Sequence, residues 1–308
     1  MDPTTGLLRD LEPTLEGLVE RHLATTREWF PHQYIPYGRG RDFAEDEVWC
    51  AEEADLGGAT IDDGVRSSLI VNLLTEDNLP YYFRTIEATY GRDGAWGEWV
   101  RRWTAEEGRH AIAIRDYLMI TRAIDPIALE RARMAQVQCG QVPQPESPID
   151  ALAYVALQEL ATRISHLNTG KAVEDPTGYE VLKRVASDEN RHYLFYRDLV
   201  AKALEVDPSW VLQSIERQVR GFEMPGTGII DYTNHAKAIA RAGIYDFAVH
   251  HDSILQPVLV THWKIDRLEG LDGDGEAARA STLRYMERVG KAGRRTAARR
   301  EAATAVAV

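Results

Sequence analysis

The stretches Glu106-Glu107-Gly108-Arg109-His110 and Asp188-Glu189-Asn190-Arg191-His192 decide the fold. Each reads acid-Glu-x-Arg-His. Each lies within a long segment whose apolar residues recur every three or four positions, the period of an amphipathic helix. At i and i+3 the Glu and His share one helical face. A single Glu-x-x-His says little, but here it recurs with its surroundings. Glu76 stands 31 residues before Glu107, and Glu159 stands 30 before Glu189. The copies are offset by 83 and 82 residues, so two helical hairpins are quasi-equivalent.

Outward from these motifs, Asp62 to Tyr90, Trp96 to Ala123, Ile149 to Val173 and Asp175 to Leu204 read as four long helices. At about 1.5 Å per residue they make a bundle about 35 to 40 Å long. Gly91-Arg-Asp-Gly94, Gly140 to Pro148 and Pro176-Thr-Gly178 separate them, and a smaller helix, Pro126 to Cys139, lies within the long central connection. Short, long and short connections predict two hairpins joined by a crossover. Further helices are expected over 5–30, 208–220, 230–241 and 246–268. Residues 1–275 read as one domain with its core bundle at about 62–204, and 276–308 as an Ala/Arg-rich C-terminal tail. From Arg284 to Arg300 seven basic residues face one acid, Glu287, in a chain whose net charge is −12.

The 308 residues are 44% hydrophobic and 27% charged, the composition of a globular protein. The acidic balance disfavours nucleic acid as a general partner. The polar, acidic N-terminus has neither the basic end nor the apolar run of a secretory signal, and no stretch is apolar enough to span a bilayer. Cys50 and Cys139 lie far apart and outside any CxxC spacing, so a reduced, cytoplasmic protein is expected.

Charge supplies the chemistry. Leu73 and Leu79 flank Glu76, and Leu152, Val155, Ala156 and Ile164 surround Glu159, so these acids face the bundle interior. Four carboxylates there bring −4, heavily penalised unless neutralised. Two divalent cations bring +4, and two neutral His complete the coordination. Such oxygen-rich, mixed carboxylate/imidazole ligation suits Fe(II) that must meet O₂, with manganese an alternative. This is the ligand pattern of ferritin-like dimetal carboxylate bundles. Glu106 and Asp188 turn about 100° from the adjacent ligands and suit acceptors that orient a liganding imidazole.

Four strings carry a resemblance: Thr75-Glu-Asp-Asn-Leu-Pro80, Trp103-Thr-Ala-Glu-Glu-Gly-Arg-His110, Gln158-Glu-Leu-Ala-Thr-Arg-Ile-Ser-His166 and Ala186-Ser-Asp-Glu-Asn-Arg-His192. With the Trp29-to-Pro36 loop, they resemble the soluble acyl-acyl-carrier-protein (acyl-ACP) desaturase family over about residues 10 to 270. The resemblance implies an all-α, ferritin-like four-helix bundle with additional flanking helices. It implies a di-iron centre of two Fe ions on Glu76, Glu107, His110, Glu159, Glu189 and His192, with Glu107 and Glu189 bridging. It gives Thr162 a part in O₂ and proton handling, and makes Trp29 and Asp188, with His110, an electron route. The implied reaction is O₂-dependent insertion of a cis double bond into an acyl chain on acyl carrier protein. A ferredoxin-type donor supplies electrons, and the assembly is a homodimer. Gly108, Arg163 and Tyr193 depart from the family pattern without removing a ligand.

Hydroxylation of a carrier-tethered acyl thioester would use the same six ligands. A ribonucleotide reductase radical subunit would want a Tyr where Ile114 stands, and iron storage leaves about 150 residues outside the bundle without purpose. Phe83, Thr85, Ala88 and Thr89 are candidates for lining an acyl channel. Arg101, Arg102, Arg109 and Arg115 are candidates for receiving an acidic carrier protein. His250-His251 cannot act as a metal pair on one helical face, because adjacent residues point apart.

Overall fold

A computed structural model describes residues 3–56, 61–226 and 228–306. Among the described residues the chain is helical and has no strand. Its helices are α1 (Pro3–Thr25), α2 (Asp63–Glu76), α3 (Leu79–Tyr90), α4 (Gly94–Thr121), α5 (Pro126–Cys139), α6 (Pro148–Ala172), α7 (Pro176–Val206), α8 (Pro208–Arg220), α9 (Tyr232–Arg241), α10 (Phe247–Val249) and α11 (Gly273–Val306). α10 runs on into a wider, π-helical segment, His250–His262.

Helix starts are written in the sequence. Asp125-Pro126, Ser147-Pro148, Asp175-Pro176 and Asp207-Pro208 each combine a capping side chain with a proline. The cap accepts from a free backbone N–H of the first turn, and proline removes another such donor while fixing φ. Gly91 and Gly140, at φ 89° and 60°, end α3 and α5 in left-handed conformations that glycine adopts without a Cβ clash.

The expected bundle forms, with α2–α3 and α4 as one hairpin and α6 and α7 as the other. The continuous helix expected over Asp62 to Tyr90 is broken. Pro80 has no N–H to give the Glu76 carbonyl, and its ring clashes with that turn. The chain therefore leaves α2 directly after Glu76 and restarts as α3. The first helix also stops earlier than expected, at Thr25, and residues 26–30 leave it without regular structure.

Two apolar cores flank the bundle's middle. One joins Leu11 and Leu15 of α1 to Trp99, Trp103, Leu157, Tyr193 and Phe195. The other joins Leu69 and Leu73 of α2 to Ala113, Ile114, Tyr117, Leu182 and Val185. On α4 the two cores are separated by residues 104–112, and on α7 by residues 186–192. Those gaps hold the two Glu-x-x-His motifs. The polar cluster is thus clamped between close-packed apolar layers. The basic C-terminal stretch runs as α11, with Ala278, Thr282, Met286 and Val289 buried.

Candidate metal centre

Glu76 comes from the last turn of α2, Glu107 and His110 from α4, Glu159 from α6, and Glu189 and His192 from α7. All six are buried, and Glu159, His110 and His192 have no exposed surface. His110 Nδ1 lies 3.1 Å from Glu107 Oε2, 3.5 Å from Glu76 Oε2 and 3.6 Å from Glu189 Oε1. His192 Nδ1 lies 2.7 Å from Glu107 Oε1, 3.7 Å from Glu159 Oε2 and 3.9 Å from Glu189 Oε2. Two groups result: Glu76, Glu107, His110 and Glu189, and Glu107, Glu159, Glu189 and His192. In each, the potential ligand atoms all lie within 4.8 Å of one another. Glu107 and Glu189 belong to both.

The donor set fits cations better than hydrogen bonds. Glu107 Oε1, Glu159 Oε2, Glu189 Oε2 and His192 Nδ1 are fully buried without a hydrogen-bond partner among the described residues. They are one atom from each member of the second group, whose potential ligand atoms lie within 4.8 Å of one another. Buried polar atoms are otherwise almost always paired, because an unpaired one costs about 1 to 3 kcal/mol.

Electrostatics without a cation carry the same strain. Burial drives the Glu159 carboxyl well above the usual carboxylate range, and the Glu189 charge adds to it. Burial opposes charge on His110 and His192, but the Glu107 carboxylate outweighs it and holds both imidazoles well above their ordinary range. Burial likewise opposes charge on Glu189, yet the neighbouring His166 and His192 imidazoles hold that carboxyl down at about 2. Protons on these groups offset charge that divalent cations would otherwise balance.

The acids preceding each motif face imidazoles crosswise, and Glu106 is hydrogen-bonded to the one it faces. Glu106, from the first motif, accepts from Nε2 of His192 in the second at 3.0 Å. Asp188, from the second, stands 3.6 Å from Nε2 of His110 in the first. Each His therefore turns Nδ1 toward the cluster and Nε2 toward an acid on the facing helix. Against the effect of burial, His192 and His22 hold Glu106 well below the carboxylate range, and His110 does the same for Asp188.

Trp29 Nε1 donates to Asp188 at 2.6 Å, and the indole stacks over His110 with ring centroids 6.4 Å apart. Asp188 also accepts from Arg109 at 3.2 Å, from Arg191 at 2.7 Å and from Arg184. The Arg109 and Arg184 guanidinium carbons lie 5.0 and 5.3 Å from the centre of the Trp29 ring. Thr162 is buried, and its hydroxyl donates back to the Gln158 and Glu159 carbonyls at 3.1 Å.

Sequence reasoning missed His22, which donates from Nε2 to Glu106 at 2.9 Å and stacks on His192. A signal existed: Leu7, Leu11, Leu15, Leu18 and His22 form one buried stripe on α1, with a lone polar residue at its end. His166, at the end of the third quoted string, donates to Glu76 at 2.9 Å and is held up at about 9 by Glu189 and Glu76 despite its burial. His250 and His251 do diverge: His250 contacts Tyr245, and His251 contacts Asp252.

Two cavities meet at the cluster. One of about 390 Å³ is bounded by Glu76, Glu107, Glu189 and Thr162, and by Tyr82, Thr85, Ile86 and Thr89 of α3. Thr85 and Thr89 line it as expected. Phe83 and Ala88 do not, because positions 82, 85, 86 and 89 form the inward face. A second cavity of about 850 Å³ also reaches Glu76 and Thr162, and it continues between α9, the π-helical segment and α11. Both volumes fall in the range of small-molecule sites. Among the described residues no helix is long and apolar enough to cross a membrane.

A family model described as fatty acid desaturase matches residues 4–308. DesA1 of Mycobacterium tuberculosis is 41% identical over 281 residues, covering 89% of this chain and 82% of that protein. The chloroplastic stearoyl-[acyl-carrier-protein] 9-desaturase 6 of Arabidopsis thaliana is 31% identical, covering 85% and 70%. The X-ray structure of DesA2 from Mycobacterium tuberculosis H37Rv superposes with a TM-score of 0.69 at 28% identity, covering 89% of this chain and 99% of that one.

Proposed function

Because this chain belongs to the fatty acid desaturase family, we propose that it inserts a cis double bond into an acyl chain held as a thioester on acyl carrier protein, at a di-iron centre bound by Glu76, Glu107, His110, Glu159, Glu189 and His192. The overall change converts –CH₂–CH₂–, O₂, two electrons and two protons into –CH=CH– and two waters. Bound iron supplies the O₂-dependent oxidation of an unactivated methylene, which side chains alone do not provide.

The single observation that carries the reading is the convergence of six buried ligands, from four helices, on the meeting point of two cavities. The residues divide the work. Glu107 and Glu189 are common to both ligand groups and would be shared by the two ions. Glu106 fixes the His192 imidazole through Nε2, and Asp188 sets its negative charge 3.6 Å from Nε2 of His110. The cavity walls exclude water and hold one methylene pair at the centre, where a misplacement of about 1 Å can cost about 10²-fold in rate. The Thr162 hydroxyl, beside Glu76 on both cavities, is available to hold or pass a proton. Trp29, buried under its loop, Asp188 and His110 form a contiguous path to the ligands, suited to electrons from a ferredoxin-type donor. A homodimer is the proposed assembly, which size-exclusion chromatography checks.

The test is iron per chain, followed by mass spectrometry of acyl-ACP incubated with a reducing system and air. A product two mass units lighter that retains no ¹⁸O from ¹⁸O₂ supports desaturation. Product that retains ¹⁸O, or substrate recovered unchanged by iron-loaded protein, contradicts it.

A further inference from the structure

The four α4 arginines are largely committed inside the molecule. Arg102 pairs with Glu106 at 2.6 Å, Arg109 with Asp188 at 3.2 Å and Arg115 with Glu130 at 2.7 Å, while Arg101 donates to the Arg92 carbonyl at 2.7 Å. An uncommitted basic stripe lies on α11. Arg284, Arg288, Lys291, Arg295 and Arg299 are spaced 4, 3, 4 and 4 residues apart, so they form one stripe, and all five are exposed. Lys291 pairs with Glu287 at 2.6 Å. Among the described residues no carboxylate pairs with the four arginines, and Arg288 only overlies the Tyr285 ring.

About 100° round the same helix, Tyr285, Val289 and Thr296 line the larger cavity, whose inner end is Glu76, Thr162 and His166. The cavity also carries exposed Lys237 of α9, likewise without a partner among the described residues, and Phe247 of α10 beside α11, which is 58% exposed. One helix therefore offers a cationic stripe outward and a cavity wall inward, in a chain of net charge −12.

We propose that α11 is the docking surface for an acidic carrier protein, which delivers its acyl thioester into the cavity that α11 helps to wall. The inference rests on the carrier-thioester reading above and adds the element that receives the carrier. An anionic membrane surface would use the same charges, but it would not require the stripe to border a cavity that ends at the ligand cluster. Charge complementarity at such a rim raises the association rate and makes it depend on salt.

The test uses the full-length, iron-loaded protein and its R288E/R295E variant, whose changes are exposed and leave the fold intact. Affinity for stearoyl-ACP is measured by fluorescence anisotropy at low and high ionic strength, with Arg101→Glu as the control. The expected result is a loss of at least about tenfold at low salt, narrowing at high salt. Affinity for free stearate and the iron content stay unchanged, and the control binds normally. Equal affinity of the variant and the wild type for stearoyl-ACP overturns the docking role while leaving the carrier reading standing. Phosphatidylglycerol vesicles that bind the wild type but not the variant, with carrier affinity unaltered, would assign the stripe to a membrane surface and overturn the proposal. Absence of binding by both proteins overturns the carrier reading and this inference with it.

Discussion

Loading the metal-free protein with Fe(II) should release protons, and their number follows from the site. In the empty cluster the Glu107 carboxylate keeps His110 and His192 charged at pH 7, and burial keeps a proton on Glu159. All three must deprotonate to become ligands. Metal binding at pH 7 is therefore expected to release about two protons from the imidazoles, plus the fraction held by Glu159. Groups with ordinary pKa values would release far less, because two free histidines are each only about a quarter protonated at pH 7, giving about half a proton in all. The sign is fixed by the raised values: protons compete with metal, so affinity climbs as pH rises and falls as pH drops. The slope corresponds to about 10² to 10³ in affinity per pH unit. Anaerobic titration calorimetry in two buffers of different ionisation enthalpy counts the protons directly. A release of about half a proton would refute the account of a proton-charged empty site.

Other outcomes follow from single contacts. Removing metal should lower the melting temperature: at free metal about 100-fold above Kd the bound state gains about 2.7 kcal/mol, or about 5 to 10 °C in a scanning calorimeter; an unchanged melt would count against buried ligation. Glu159→Ala should leave the second ligand group with three members and reduce bound iron well below two per chain, read by inductively coupled plasma analysis. Glu106→Gln weakens the acceptor that holds His192 and His22, and should cost about 10- to 100-fold in metal affinity; a metal titration showing no change would remove Glu106 from that role. Gly108→Ala should stabilise the protein by about 1 kcal/mol, since a Cβ there meets only Leu79 Cδ2 at 3.9 Å. Chemical denaturation checks the sign.

The two motifs were legible because helix periodicity alone puts Glu and His of a Glu-x-x-His on one face, and because the repeat offset required both hairpins to superpose. Helix starts were legible too, since Asp-Pro and Ser-Pro act through the nearest backbone N–H groups. Contacts between distant segments were not. His22 reaches Glu106 across 84 residues of sequence, and the crosswise pairing of Glu106 with His192 and of Asp188 with the neighbourhood of His110 depends on how the hairpins face each other. The break after Glu76 follows from Pro80, a local signal outweighed by the apolar periodicity on either side. The inward stripe of α11 consists of Ala278, Thr282, Met286, Val289 and Gly293, residues too small or too mixed to stand out among arginines. Yet Gly293 lies so close to Ala248 that an added Cβ would meet its backbone at 2.7 Å.

The central claim is that two cations share one pair of carboxylates. Diffraction from crystals of iron-loaded protein, collected at the iron absorption edge, tests it most directly. The account predicts two anomalous peaks, one bounded by Glu76 and His110 and the other by Glu159 and His192, with Glu107 and Glu189 touching both. A single peak, or peaks remote from these six side chains, would contradict it.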